Sequence, residues 1–160
     1  MNIFIVGEDL KDPVEISCES GASVAKLAAV VAERLRRSAT ELLIFVENED
    51  KPLGASAVLD DVLPADQCLH IHRCLHVAVA VTYNQKTIAG DFGPATTIGR
   101  LRDWAVHHTE FGFHESDAAC LRLQLPDGTF PDERDHVGQF VHHPDCGVVF
   151  TLAEHRKPQG

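Results

Sequence analysis

The chain has 160 residues, 44% of them hydrophobic, enough to bury one ordinary core or two small ones. Twenty-four acidic residues against fourteen basic ones leave a net charge of -10, which argues against nucleic acid or an anionic membrane as the main partner and leaves basic proteins open. No stretch reaches the length of a membrane span, and the residues after Met1 lack the charge and long apolar run of a secretory signal, so a cytoplasmic address is expected.

The first half opens on the apolar run Asn2 to Val6, breaks at the polar Gly7 to Pro13, and resumes with the alternating Val14-Glu15-Ile16-Ser17, the pattern of a β-hairpin. Ser23 is placed to cap a helix in which Val24, Leu27, Val31 and Leu35 recur at steps of three and four. One apolar stripe implies one helix packed on one face of a sheet. Leu42 to Val46 is rich in strand formers, Glu47 to Pro52 reads as a turn, and Cys68 to His72 alternates as a last strand. In that strand Leu69 and Ile71 are expected to point inward, leaving Cys68, His70, His72 and Cys74 on the outer face.

The second half repeats the order. Val79 and Val81 stand where Ile3 and Ile5 stood, Lys86 to Phe92 supplies a second strand, and Thr97-Ile98-Gly99-Arg100-Leu101 repeats the cap and stripe that begin at Ser23. Leu121 to Leu125 answers Leu42 to Val46, and Val148 to Leu152 answers the strand around Leu69. The reading is α+β, two copies of β-β-α-β-β, with domains at residues 1–75 and 76–153. A tail at 154–160 shows neither stripe nor alternation. The connection around Arg73 to His76 has no Pro, Gly or Ser run, so the domains are expected to be closely coupled.

In the first half, Glu41 to Val46, Leu59-Asp60-Asp61-Val62 and Leu69-His70-Ile71-His72 resemble the third strand, short-helix region and last strand of ubiquitin, in order and nearly at its spacing. The second half matches mainly through Thr97 to Leu101, Leu121 to Leu125 and the final strand with its tail. Two such β-grasp units followed by a terminal glycine resemble the tandem ubiquitin-like modifiers. These are the interferon-induced vertebrate form and, favoured here, the bacterial form of Bil-type antiphage operons.

The resemblance implies a modifier that is not an enzyme and needs no cofactor, attached to targets through the carboxylate of Gly160. It implies as partners an E1-like activating enzyme, an E2-like conjugating enzyme, a deconjugating or processing protease, and target proteins such as phage structural proteins. Arg156 and Lys157 resemble the basic residues upstream of the family's terminal glycine, and a residue without a side chain suits a narrow enzyme channel. The family commonly ends in two glycines. Here Gln159 precedes Gly160 and Pro158 stiffens the segment, which implies a dedicated activating enzyme that recognises Arg156, Lys157, Pro158 and Gln159. Ile44, His70 and His72 fall on positions resembling ubiquitin's exposed recognition patch, and read equally as ordinary solvent-facing strand residues. The alternative function is an unconjugated tandem β-grasp adaptor. A sulfur carrier needs only one domain, which counts against that reading.

Five cysteines, an odd number in or near apolar runs, read as reduced thiols. Cys68, His70, His72, Cys74 and His76 follow one another at steps of two, but neighbours on one strand face lie roughly 7 Å apart, too far to share a tetrahedral ion. No metal is expected there, nor in the loop carrying His136, His142, His143 and Cys146. No nucleophile elbow, zinc-protease, P-loop or dinucleotide motif appears in the sequence. Trp104 is expected in the core or between the domains.

Overall fold

The computed structural model describes residues 1–155. The first domain runs β1 (Asn2–Gly7), β2 (Val14–Ser17), α1 (Val24–Leu35), β3 (Leu43–Phe45), a one-turn α2 (Leu59–Val62) and β4 (Cys68–His72). The second runs β5 (Val77–Tyr83), β6 (Lys86–Phe92), α3 (Ile98–Val106), a one-turn α4 (Glu115–Ala118), β7 (Leu121–Gln124) and β8 (Gly147–Glu154). Each sheet has four strands, ordered β2-β1-β4-β3 and β6-β5-β8-β7. The two central strands are parallel and the edge strands antiparallel to them. The helix supplies the long crossover that a parallel central pair requires.

Both helices start where their caps predict. Ser23 Oγ accepts the Lys26 N–H at 3.1 Å, and Thr97 Oγ1 accepts the Arg100 N–H at 3.2 Å. Val24, Leu27 and Val31 of α1 pack with Ile3, Ile5, Ile44, Leu69 and Ile71. Ile98, Leu101 and Ala105 of α3 pack with Val79, Val81, Leu123, Phe150 and Leu152. Trp104 lies against the second core, its ring edge-on to Phe92 at 4.9 Å.

Three expectations need correction. Cys74 and Cys146 form a disulfide, so only Cys18, Cys68 and Cys120 are free thiols. The partners are 72 residues apart and meet because β5 and β8 run parallel beside them, with the Ala78 N–H donating to the Cys146 carbonyl; local sequence carries no trace of that pairing. Ile44 does not face outward. It lies opposite Ile71 and shares the core face, because the residues of β3 that fall on the outer face are Leu43 and Phe45. Finally, Glu154 and His155, expected in the tail, belong to the domain: β8 continues through Glu154, and the His155 N–H donates to the Cys120 carbonyl at 3.1 Å.

Candidate recognition surfaces and the interdomain seam

Alternation in β4 puts His70 and His72 on the outer face as expected, but both are 0% exposed. The expected solvent-facing patch of Ile44, His70 and His72 is therefore absent: Ile44 lies in the core, and the second domain covers the histidines. Phe45, opposite His70 on that outer face, is also fully buried. The cover comes from the turn at Val137–Phe140 and the residues flanking it.

The hydrogen bonds fix the tautomers in this seam. His136 Nε2 lies 3.0 Å from Glu47 Oε1, and a carboxylate only accepts, so His136 donates there. In its neutral form His136 then offers a bare Nδ1, which accepts from His70 Nδ1–H at 2.9 Å. That leaves His70 Nε2 unprotonated, buried and without a partner among the described residues. His72 Nδ1 accepts the Cys74 N–H at 2.9 Å, so its Nε2–H is shared between the Gly138 carbonyl at 3.0 Å and the Val141 carbonyl at 3.1 Å. Burial, and then the neighbouring His136 and His72, hold the His70 pKa well below its ordinary value. Burial likewise lowers that of His72, against the opposing pull of Glu8. Gly138 is required by this geometry, because a Cβ there would sit 2.5 Å from His70 Nε2 and 2.8 Å from the Pro94 carbonyl oxygen.

Two further contacts lock the seam. Asn48, held at φ 63, accepts the Thr97 N–H on Oδ1 at 2.9 Å, while its own N–H donates to the Ala95 carbonyl and its carbonyl accepts from Arg100. The turn of the first domain thus caps the start of α3 in the second. At the hinge, Arg73 donates to both oxygens of the fully buried Glu8, at 2.8 and 2.9 Å, and the His143 N–H donates to the same carboxylate at 2.7 Å. Burial alone would raise the Glu8 pKa; these hydrogen bonds and the nearby positive charge outweigh it and lower it to about 2. Glu8, Asp9 and His142 bring ligand-type atoms within 4.8 Å of one another, but Arg73 and the His143 N–H already occupy the Glu8 oxygens.

The corresponding face of the second sheet is open. The register lines up Asp91, Ala78 and Gly147, then Ala89, Ala80 and Val149, then Thr87, Thr82, Thr151 and Gln124, and last Ala153 with Arg122. Val149 is 52% exposed. The alanine and glycine end forms the floor of a groove of about 750 Å³ with Leu125, Pro126 and Phe140 also lining it. At the other end β8 delivers His155 against Phe130, ring to ring at 4.4 Å, beside Arg122 and Glu133, which pair at 3.2 Å. Arg156, Lys157, Pro158, Gln159 and Gly160 follow this exit in sequence and lie outside the described residues.

The seam residues Glu8, Glu47, Asn48, His136 and Gly138 were not singled out together by sequence. One signal was present: Ile3-Phe4-Ile5-Val6 and Leu43-Ile44-Phe45 are apolar on both strand faces, the mark of a sheet covered on both sides.

Two four-stranded sheets of this mixed order, each crossed by one capped helix, define a tandem ubiquitin-like protein of two β-grasp domains. Residues 78–155 match the family model described as BilA ubiquitin-like domain 2, and the chain is a tandem ubiquitin-like protein similar to that of Bil systems. The match falls on the half whose resemblance to ubiquitin is the more distant in sequence. Among solved structures, the chain is similar to the ubiquitin of Caldiarchaeum subterraneum, at 16% identity over 53% of this chain and 99% of that one, with a TM-score of 0.39. It is also similar to a chain of the pParkin-pUb-UbcH7 complex, at 19% identity over 49% of this chain, with a TM-score of 0.41. It spans only 24% of that chain's length. No curated protein matches the chain. Among the described residues no helix is long and apolar enough to cross a membrane.

Proposed function

We propose that this chain is a protein modifier, conjugated to lysines of its targets through the carboxylate of Gly160 in a bacterial antiphage pathway of the cytoplasm. The observation that carries the reading is the match of the second domain to BilA ubiquitin-like domain 2, together with the course of β8. That strand brings the chain to His155, five residues before Gly160, at the edge of the domain. On this reading the chain catalyses nothing itself. An E1-like enzyme adenylates Gly160 and recognises Arg156, Lys157, Pro158 and Gln159, an E2-like enzyme transfers the chain, a protease processes and removes it, and phage structural proteins are among the targets.

The burial of the first domain's outer face fits a modifier that ordinary ubiquitin receptors pass over. The open face of the second domain, with Val149 and the groove beside it, favours the adaptor as the second reading. Peptide mapping of the tagged chain expressed with its genomic neighbours separates the two. Lysines carrying a remnant that ends in Gly160 establish the modifier; their absence with active neighbours sinks it in favour of the adaptor.

A further inference from the structure

We propose that the Cys74–Cys146 bond is a redox modification site whose substrate is a dithiol reductant, and that its reduction frees the second domain to leave the outer sheet face of the first.

The position of the bond carries the inference. β4 ends at His72 and β5 begins at Val77, so Arg73 to His76 is the whole connection between the domains. Arg73 is tied back to the first domain through Glu8, and Cys74 is tied forward to the residue preceding β8. The hinge is thus pinned on one side by an ion pair and on the other by a covalent bond. The polar seam contacts described above are hydrogen bonds and ion pairs, several made by histidines, and one of those, His70, keeps a buried nitrogen without a partner among the described residues. Each of these polar contacts gains little net free energy over its hydrated, separated halves, and within-chain interfaces move by default unless they are large and hydrophobic. Holding Cys74 against Cys146 restricts the pivoting that would otherwise compete with the closed seam.

The chemistry is ordinary exchange. Cys74 is 2% exposed and Cys146 half-buried, so the reductant's thiolate attacks the Cys146 sulfur and Cys74 leaves as a thiolate, which takes a proton. The reductant's second thiol, losing its proton, then displaces Cys146. The products are two protein thiols and one oxidised dithiol, a two-electron transfer that balances. Opening the seam uncovers Phe45, His70 and His72, all fully buried while it is closed. They adjoin Phe4, which is already 39% exposed, in one continuous apolar and imidazole face.

The test is amide hydrogen exchange by NMR on the full chain, first oxidised, then in dithiothreitol, then reoxidised. The reporters are the N–H groups of Asn48, Gly93, Thr97 and His143, each of which donates across the seam. Reduction is expected to speed their exchange at least tenfold, reversibly, while amides within β1 and β5 keep their rates. Cys146→Ser should behave as the reduced chain does and ignore the reductant; if that variant does not fold, the reduction cycle of the native chain decides. Unchanged reporter rates overturn the proposal. So does a loss of protection spreading through β5 and β8, which makes the bond a staple of the second domain's fold and not a control of its position.

Discussion

His70 and His136, 66 residues apart, meet nitrogen to nitrogen at 2.9 Å across the seam, and one proton serves the pair. The arrangement holds while both rings are neutral. A second proton on His70 would have to sit on Nε2, which faces Gly138 and, among the described residues, no acceptor.

Acid should therefore weaken the closed state in two windows. His70 and His72 have pKa values below the ordinary 6.5 when the seam is closed. Above pH 6.5 closed and opened chains are both neutral there, and the seam is at full strength. Below it the opened chain takes up protons that the closed one refuses, so stability falls as pH falls. Glu8 adds a second loss between its ordinary 4.5 and about 2, where its hydrogen bonds to Arg73 disappear. Urea midpoints from pH 7.5 to 3 should decline from about pH 6.5 downward. His70→Leu should start lower, because it strands His136, and flatten the upper part of that slope. A midpoint constant from pH 7.5 to 5 would disprove the assignment.

Gly138→Ala should destabilise the chain by about 1–3 kcal/mol, since the new methyl meets both His70 and the Pro94 backbone in a packed seam. Gly54→Ala is the control: among the described residues nothing lies within 4 Å of a Cβ there, and its effect should stay within about 0.5 kcal/mol. Equal denaturation midpoints for the two variants would mean that the seam yields to the methyl.

How much of this was legible in the sequence varies with the range of the interaction. Hairpin, caps and helix stripes are local, so Ser23, Thr97 and the steps from Val24 to Val31 announce them, and the internal repeat carries the plan to the second half. Parity along β4 was legible as well, because alternation alone places His70 and His72 outward. Alternation cannot say what lies above that face. Period two reads the same for a solvated strand and for one roofed by another domain, and the roof here comes from residues 66 to 69 positions away. Ile44 failed for a narrower reason: three consecutive apolar residues, Leu43, Ile44 and Phe45, fix no parity by themselves, and only the pairing with Ile71 turns Ile44 inward.

At the hinge, Glu8→Gln should cost about 1–3 kcal/mol, because an amide cannot accept from Arg73 and the His143 N–H with both oxygens. The same substitution should remove the stability loss between pH 4.5 and about 2, since the titrating group is gone. Chemical denaturation at pH 7 and pH 3 measures both effects. A loss at pH 7 without the flattened acid limb would show that Glu8 acts by packing alone.

Gly160→Trp separates attachment from folding. The described contacts of β8 end with the His155 N–H on the Cys120 carbonyl and the His155 ring on Phe130, both upstream of the substitution. The unfolding free energy should therefore change by less than the roughly 0.5 kcal/mol typical of a neutral surface change, leaving the thermal midpoint nearly where it was. On the proposed reading, conjugates in cells that carry the cognate enzymes should vanish, because an indole in place of a residue without a side chain would obstruct a narrow activating-enzyme channel. His155→Ala with Phe130→Ala tests the exit itself: the pair removes the ring contact at the end of β8 and leaves the sequence from Arg156 to Gly160 unchanged. Conjugation slowed several-fold with the midpoint nearly unchanged would show that the enzymes read the domain edge together with the tail. Full-rate conjugation of the double variant would confine recognition to Arg156, Lys157, Pro158 and Gln159, and conjugation of Gly160→Trp would remove the terminal glycine from the mechanism altogether.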